Sequence, residues 1–305
     1  MISQAELDRF YETLVATIRS KGGVCAITSG MACVRYHVAQ STKDCDVLCQ
    51  TDSAELFLAE LCKTKFEGVT CSYRGHLTPP LDVRWMRGGW TSHFEWTSDV
   101  ANAHLDVFGV APRSSSPWVA DLNGRLVGMH TVAEMKRTDR LKDWPFTTAL
   151  GVKMIETGDL RGWLHIFDAQ TLRSLKENAP CPDNILCQRP LLTLVMADDP
   201  RLEAAVVAEM NYWQQLDRLR MRVHEAAIRK YFMSVKKDAS ADAADLPTQH
   251  RVRVAHAEAL LPQNPLRDYG IDRLISEARE ATLRVVAPGA LDWLPDISAH
   301  FVGLE

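Results

Sequence analysis

Two aspartates suited to holding a metal ion stand close together near the start of the chain. Asp44 and Asp46 open an apolar run, and thirteen residues lie between Gly30 and Asp44. Alternate residues of a β-strand point to the same face, so we expect both carboxylates on one side of a sheet. Two adjacent carboxylates resist joint ionisation unless a cation lies between them. Mg²⁺ binds one or two protein carboxylates together with phosphate oxygens, so the pair predicts chemistry on a phosphoryl group.

The first half of the chain alternates strand and helix patterns around these aspartates. An apolar run from Val24 to Ile27 predicts a buried strand, and the turn Ser29-Gly30 after it opens a helix whose free N–H groups suit a phosphate. The predicted elements are helix 3–20, strand 24–29, helix 30–40, strand 45–50, helix 53–65, strand 69–74 and strand-like runs at Leu81–Met86, His93–Thr97 and Ala103–Val110. Proline and glycine turns between the last runs predict antiparallel pairing.

The second half of the chain has helical patterns. Predicted helices cover about 131–157, 159–178, 200–237, 248–261 and 267–284, with breaks at proline-containing segments. The sequence therefore predicts a mixed α/β catalytic domain over residues 1–150 and an all-helical domain over residues 151–305.

Three charged residues lie at the junction of these halves. Lys136 and Arg140 are four residues apart and Asp143 is three further, so one helical face would present all three. Such a face is either a clamp for a triphosphate or an ordinary surface ladder of ion pairs. Arg137 and Lys142 lie off this face, so we expect them to contact solvent or an acceptor molecule.

The order of these motifs resembles the nucleotidyltransferase superfamily. A strand, a small-residue turn with glycine, a helix and then D-x-D on the next strand is the pattern of that superfamily. The segment from His104 to Phe108 resembles the strand with its third carboxylate, here Asp106. The Lys…Arg…Asp segment at Lys136, Arg140 and Asp143 resembles the AbiEii-like branch, whose members include toxins of toxin–antitoxin systems.

The resemblance implies a nucleotidyltransferase-like mixed sheet with flanking helices and a metal-dependent transfer of a nucleotidyl group from a nucleoside triphosphate to a hydroxyl. Three carboxylates would hold one or two Mg²⁺ ions, namely Asp44, Asp46 and Asp106. The residues implied in nucleotide binding are Ser29, Gly30, Lys136, Arg140 and Asp143. The acceptor would be RNA, a protein or a small molecule. A toxin of this branch would have an antitoxin as partner.

Several alternatives stay open in the sequence. Asp82, in Leu81-Asp82-Val83-Arg84, also resembles the third carboxylate, although Asp106 lies in the longer apolar run. A catalytically inactive module of the same fold, which binds a nucleotide or a protein, is the alternative function. Seven basic residues between Trp213 and Lys237 predict either a solvated helix face or a face that follows RNA phosphates.

Composition excludes several other classes of protein. The chain has 305 residues, 46% of them hydrophobic and 24% charged, and a formal net charge of −4, which are ordinary values for a globular protein. No apolar stretch reaches the ~18 residues of a membrane span, and the N-terminus lacks the pattern of a signal peptide, so we expect a cytoplasmic protein without a membrane partner. His93-x-Glu95 and Cys181 suggest a zinc deaminase, but the next cysteine, Cys187, has the wrong spacing.

Overall fold

A five-stranded mixed sheet and the helices on its two faces form the first part of the protein. The computed structural model describes residues 3–42, 44–99, 101–116, 121–122, 124–242 and 245–301. The strands are β1 (Cys25–Thr28), β2 (Cys45–Cys49), β3 (Lys65–Phe66), β4 (Val69–Thr70), β5 (Ser72–Tyr73), β6 (Thr91–Thr97) and β7 (Asn102–Phe108). The sheet order is β1-β2-β7-β6-β5, and β3 and β4 form a separate hairpin. Strands β2 and β7 are parallel, whereas the other neighbouring pairs in the sheet are antiparallel.

Helices account for most of the remaining described chain. In the first part they are α1 (Gln4–Ser20), α2 (Ser29–Arg35), α3 (Ala54–Leu61), α4 (Val83–Arg87), α5 (Met129–Met135) and α6 (Trp144–Glu156). In the second part they are α7 (Ala169–Lys176), α8 (Asp183–Gln188), α9 (Leu192–Met196), α10 (Leu202–Val235), α11 (Leu246–Leu260), α12 (Pro265–Tyr269) and α13 (Ile271–Leu283). The expected combination of a mixed sheet with flanking helices and a helical second part is confirmed. No helix of the described residues combines the length and the apolar composition needed to cross a bilayer.

The two faces of the sheet differ because alternate side chains point to opposite sides. On one face, Ile27, Val47 and Leu105 are fully buried in a core shared with α1 and α3. On the other face, apolar residues such as Leu48 belong to a second core with residues of α2, α5 and α6. Farther along that second face the side chains of β2 and β7 are polar, and Asp46 and Asp106 lie there. The sheet therefore presents a polar patch at the edge of an apolar core.

The second part of the chain packs back onto this sheet. The division expected at residue 150 falls inside α6, and the domain boundary stays a prediction. Helix α11 covers the edge strand β5, where Gln249 Oε1 accepts the backbone N–H of Tyr73 at 2.9 Å. Trp85 and Trp90 donate their indole N–H groups to the carbonyls of Leu261 and Pro262, just after α11. These contacts satisfy groups of the sheet edge and of α4 that burial would otherwise leave unpaired.

Several expected elements are wrong. The strand expected at 69–74 is two short strands in different sheets, β4 and β5, and the helix expected at 159–178 is a 3-10 helix over Leu160–His165 followed by α7. Two further elements differ for a clear physical reason. The run Leu81–Met86 was expected as a strand, but Val83–Arg87 forms α4, because the Asp82 carboxylate accepts the backbone N–H of Arg84 at 2.9 Å and caps a helix. The single helix expected at 131–157 is two helices, α5 and α6, joined by a turn. Pro145 lies in the first turn of α6, where its missing N–H costs no hydrogen bond, so the sequence starts a new helix there.

A substitution at the contact between α4 and the segment after α11 tests this packing. A Cβ at Gly88 would overlap the backbone carbonyl of Gln263, so Gly88→Ala must displace one segment from the other. We expect this substitution to lower the free energy of unfolding by about 1–3 kcal/mol, measured by urea denaturation. The control is Gly124→Ala, whose Cβ would lie 3.5 Å from its nearest neighbour, the Leu126 carbonyl. Equal stability of the two variants would contradict the close packing of Gly88.

Candidate active site

The parallel pairing of β2 and β7 places two carboxylates side by side. Asp46 and Asp106 are direct register partners, and the row continues to Thr28 on β1 and to His93 on β6. A second row lies next to it on the same face. There His104 Nδ1 is 3.2 Å from Asp44 Oδ1, and His104 Nε2 is 4.0 Å from Glu95 Oε2. The first row thus brings two carboxylates together, whereas in the second row acidic and basic side chains alternate.

Asp44, Asp46 and Asp106 line a cleft of about 770 Å³. All eight residues expected at the site contribute to its wall, namely Ser29, Gly30, Asp44, Asp46, Asp106, Lys136, Arg140 and Asp143. Asp82 does not belong to this wall, because its carboxylate pairs with Arg84 at 2.9 Å and caps α4. The structure thus places Asp106, and not Asp82, next to the D-x-D pair.

The Asp46 carboxylate lies in an unfavourable electrostatic position. Burial, and then the neighbouring Asp106 carboxylate, raise the pKa of Asp46 to about 6, although a hydrogen bond from Ser29 and the charge of Lys136 act in the opposite direction. Asp44, by contrast, is exposed at the mouth of the cleft. A cation between Asp46 and Asp106 would remove the repulsion that raises the pKa of Asp46.

The donor atoms suit Mg²⁺ on chemical grounds. No three His, Cys, Asp or Glu side chains within the described ranges are grouped closely enough to form a metal cage by themselves. Mg²⁺ does not require such a cage, because it usually keeps several waters and binds one or two carboxylates plus substrate phosphates. Asp46 and Asp106 provide two adjacent carboxylates of this kind, and Asp44 lies on the same cleft wall.

The glycine turn forms the wall next to the D-x-D pair. Ser29 adopts a left-handed φ of 53°, which is an uncommon conformation for a residue other than glycine, and it begins α2. A Cβ at Gly30 would lie 2.6 Å from the hydroxyl oxygen of Thr42, so a larger residue would push the turn away from the segment before β2. The helix expected at 30–40 ends at Arg35 and has only seven residues. The turn therefore shapes the cleft by its close packing.

Lys136, Arg140 and Asp143 lie together, but not on one helical face. Helix α5 ends at Met135, and the three residues converge across the turn that leads to α6. Asp143 is buried and central: Lys136 Nζ is 3.5 Å from Oδ1, whereas Arg140 Nη2 is 2.6 Å from Oδ2. Burial acts to raise the pKa of Asp143, but Lys136, Thr138 and Arg140 outweigh it and lower the pKa. Asp143 therefore stays ionised and fixes both cations.

The wall of the cleft also contains Arg113 and Asp217, which the sequence did not indicate as site residues, and Arg220 from the basic stretch of α10. Arg113 Nη1 donates to Asp217 Oδ1 at 2.6 Å, and its other nitrogen Nη2 donates to the carbonyl of Met135. Asp217 lies on α10 and accepts the backbone N–H of Asp139 at 3.0 Å through Oδ2. Arg220, one turn farther along α10, donates to the same carboxylate. No local signal marks these residues, because Arg113 and Asp217 are 104 positions apart.

Arg137 and Lys142, the two residues expected off the common helical face, differ in position. The expectation that Arg137 contacts solvent or an acceptor is wrong, because its side chain is buried. Its guanidinium lies 4.7 Å from the ring centre of Trp213 and contacts His165 Nδ1 at 3.0 Å. Stacking on an aromatic ring partly compensates the burial of its charge. Lys142 does line the cleft, as its expected contact with an acceptor requires.

Comparisons of this chain with protein-family models, with curated proteins and with solved structures found no significant match. The functional argument therefore depends on the arrangement of the side chains in the cleft.

The Arg113–Asp217 pair joins α10 to the turn after α5, and its removal tests this role. Asp217→Asn leaves a buried guanidinium without a counter-charge, so we expect a loss of about 3–5 kcal/mol in the free energy of unfolding near pH 7. The control is Asp52→Asn, because Asp52 pairs with Arg87 on the surface at 2.9 Å. That exposed pair contributes at most about 1 kcal/mol. A similarly small effect of Asp217→Asn in urea denaturation would contradict the anchoring role.

The loss of stability caused by Asp217→Asn should depend on pH. Burial acts to raise the pKa of Asp217, but Arg113 and Arg220 outweigh it and hold the pKa at about 2. The value in an unfolded chain is about 3.9. The lowered pKa therefore stabilises the fold fully above about pH 4, and this contribution is lost as the pH falls towards about 2. The stability difference between wild type and Asp217→Asn should narrow across that window.

Proposed function

We propose that this protein is a metal-dependent nucleotidyltransferase, which moves a nucleotidyl group from a nucleoside triphosphate to an acceptor hydroxyl. The proposal rests on one observation above all: adjacent carboxylates and a pair of fixed cations line the same cleft. A nucleoside triphosphate bound with a divalent ion needs both kinds of group. The carboxylates would hold the ion, and the cations would contact phosphate oxygens.

Each wall of the cleft has its own part in this proposal. Asp46 and Asp106, with Asp44 at the mouth, would hold one or two Mg²⁺ ions. Mg²⁺ bound there would neutralise charge that develops on the departing pyrophosphate. In the turn after α5, Lys136 provides a compact charge and Arg140 a planar fork for phosphate oxygens. Asp143 orients both of these cations before the nucleotide arrives.

The chemical step needs an acceptor hydroxyl and a base. The hydroxyl oxygen forms a bond to the α-phosphorus of the nucleotide, and the bond from that phosphorus to the pyrophosphate oxygen breaks. The hydroxyl proton passes to a carboxylate oxygen of Asp106, which lies on the cleft wall beside Asp46.

The exposed face of α10 supports RNA as the acceptor over a protein or a small molecule. Arg222, Arg229 and Lys230 of α10 are exposed, as is Lys237 just after the helix, and none of the four pairs with a carboxylate of the described residues. Arg220 and Met221 of the same helix line the cleft. From Arg218 to Lys230 helix α10 extends roughly 18 Å, so this charge could follow several phosphates of a strand that enters the cleft. A role as a toxin with an antitoxin partner depends on the resemblance to AbiEii-like proteins.

The proposal is tested by incubating the protein with Mg²⁺, host lysate and each nucleoside triphosphate, labelled in turn at the α- and the γ-phosphate. Label from the α-phosphate should appear in a macromolecule, and sensitivity to ribonuclease or to protease identifies that macromolecule. Asp46→Asn should abolish the labelling, because it removes a central carboxylate. It should leave the fold intact, since it also removes the repulsion with Asp106.

The matched control for this experiment is Asp52→Asn, which removes an exposed carboxylate paired with Arg87 outside the cleft. Transfer from the γ-phosphate would identify a kinase instead. Nucleotide binding without any transfer would favour the inactive module. Full labelling by Asp46→Asn would exclude the assigned site.

The Arg140→Ala variant distinguishes a clamp that binds the nucleotide from a ladder of surface ion pairs. If Arg140 contacts the triphosphate, Arg140→Ala should lose about 2–4 kcal/mol of transition-state stabilisation, as for other preorganised donors. This loss corresponds to a decrease in kcat/KM of roughly 30- to 1,000-fold. The Arg140 side chain is exposed, so its pair with Asp143 should contribute under about 1 kcal/mol to stability. Kinetics near those of wild type, with only a shifted urea midpoint, would remove Arg140 from the site.

A further inference from the structure

Two side chains outside the cleft wall contact the same oxygen of Asp106. His93 Nδ1 is 2.7 Å from Asp106 Oδ1, and Arg74 Nη2 is 2.9 Å from that oxygen. Neither Arg74 nor His93 lines the cleft. In the sheet, β7 lies between β2 and β6, so these contacts reach Asp106 from the side opposite to Asp46.

The sheet fixes the positions of both residues. His93 is the antiparallel register partner of Asp106, so their side chains point to the same face of the sheet. Arg74 follows β5 directly, and its backbone N–H donates to the carbonyl of His93 at 3.0 Å. Each side chain thus starts from a backbone position held by hydrogen bonds of the sheet, which limits its movement relative to Asp106.

The hydrogen atoms of this group can be assigned from the contacts. A carboxylate oxygen can only accept, so we assign the tautomer of His93 that has a proton on Nδ1 and directs it towards Asp106 Oδ1, 2.7 Å away. The contact of 3.2 Å between Arg74 Nη2 and the same Nδ1 is then not a hydrogen bond, since both atoms are donors. Oδ1 accepts from an imidazole and from a guanidinium. No described residue donates a hydrogen bond to Oδ2, and this oxygen stays available to the cleft.

We propose that Arg74 and His93 are positioning residues that hold Asp106 by Oδ1 and present Oδ2 alone to the metal and the acceptor. This inference rests on the proposed function. It also explains the H-x-E motif of β6, because His93 supports Asp106 while Glu95 lies behind His104 and Asp44. Partners behind a metal-binding group typically change metal affinity or activity by about 10–100-fold.

The test uses the full chain and Mn²⁺ as the probe, with binding followed by electron paramagnetic resonance in the presence of a non-hydrolysable nucleoside triphosphate. His93→Ala should weaken Mn²⁺ binding by about 10–100-fold. His93→Asn should restore most of it, since the amide nitrogen of asparagine takes the position of Nδ1. His93→Gln should behave like alanine, because its nitrogen takes the position of Nε2. If His93 acted on stability alone, His93→Asn and His93→Gln would not differ in their affinity for Mn²⁺.

The control is His76→Ala, which removes a histidine that pairs with an exposed carboxylate, Asp242, at 3.0 Å outside the cleft. It should bind Mn²⁺ like wild type. Arg74→Gln is a second variant, which keeps a hydrogen-bond donor but removes its charge. It should also weaken Mn²⁺ binding, and it serves as the test if His93→Ala does not fold. Wild-type affinity in His93→Ala and Arg74→Gln would overturn the positioning role and leave the proposed function intact. Failure of the wild-type protein to bind Mn²⁺ would overturn both.

Discussion

The repulsion between Asp46 and Asp106 is the constraint around which the site is organised. Parallel pairing of β2 with β7 fixes the two carboxylates at the same register, and burial strengthens the repulsion because little water screens it. The surrounding groups oppose this repulsion from several directions. Ser29 and Lys136 act on Asp46, whereas Arg74 and His93 act on Asp106. The negative charge that remains uncompensated lies between the two carboxylates, where a divalent ion would act most strongly.

Buried carboxylates of a different kind hold the opposite wall. Asp143 and Asp217 are both buried, yet each is surrounded by cations and N–H donors that keep it ionised. They stabilise the irregular segment between α5 and α6, in which Lys136 and Arg140 lie. An irregular segment lacks the repeating hydrogen bonds of a helix, so side-chain acceptors must satisfy its backbone, as Asp217 does for Asp139.

The parts of the site that the sequence could predict are those set by local geometry. The common face of Asp44 and Asp46 follows from the two-residue period of a strand, and the glycine turn follows from an apolar run that stops at Ser29. The choice of Asp106 over Asp82 needed the partner of β2, which only the folded sheet determines. The alternation from Leu81 to Met86 indicated a strand, but the cap formed by Asp82 decided for a helix. Arg113 and Asp217 meet through tertiary packing alone, so no window of sequence could reveal them.

Helix α10 contacts both the segment after α5 and the segment after β5 that contains Arg74, and this has a mechanical consequence. At one point Asp217 holds the segment with Lys136 and Arg140, and at another Tyr231 donates to the carbonyl of Thr78 at 2.7 Å. Thr78 in turn donates its hydroxyl to the carbonyl of Arg74 at 2.5 Å, next to Asp106. The two anchor points on α10 are fourteen residues apart, or roughly 21 Å along a helix. A helix resists compression along its axis, so α10 fixes the spacing between the segment with Lys136 and Arg140 and the segment with Arg74, whose side chain holds Asp106.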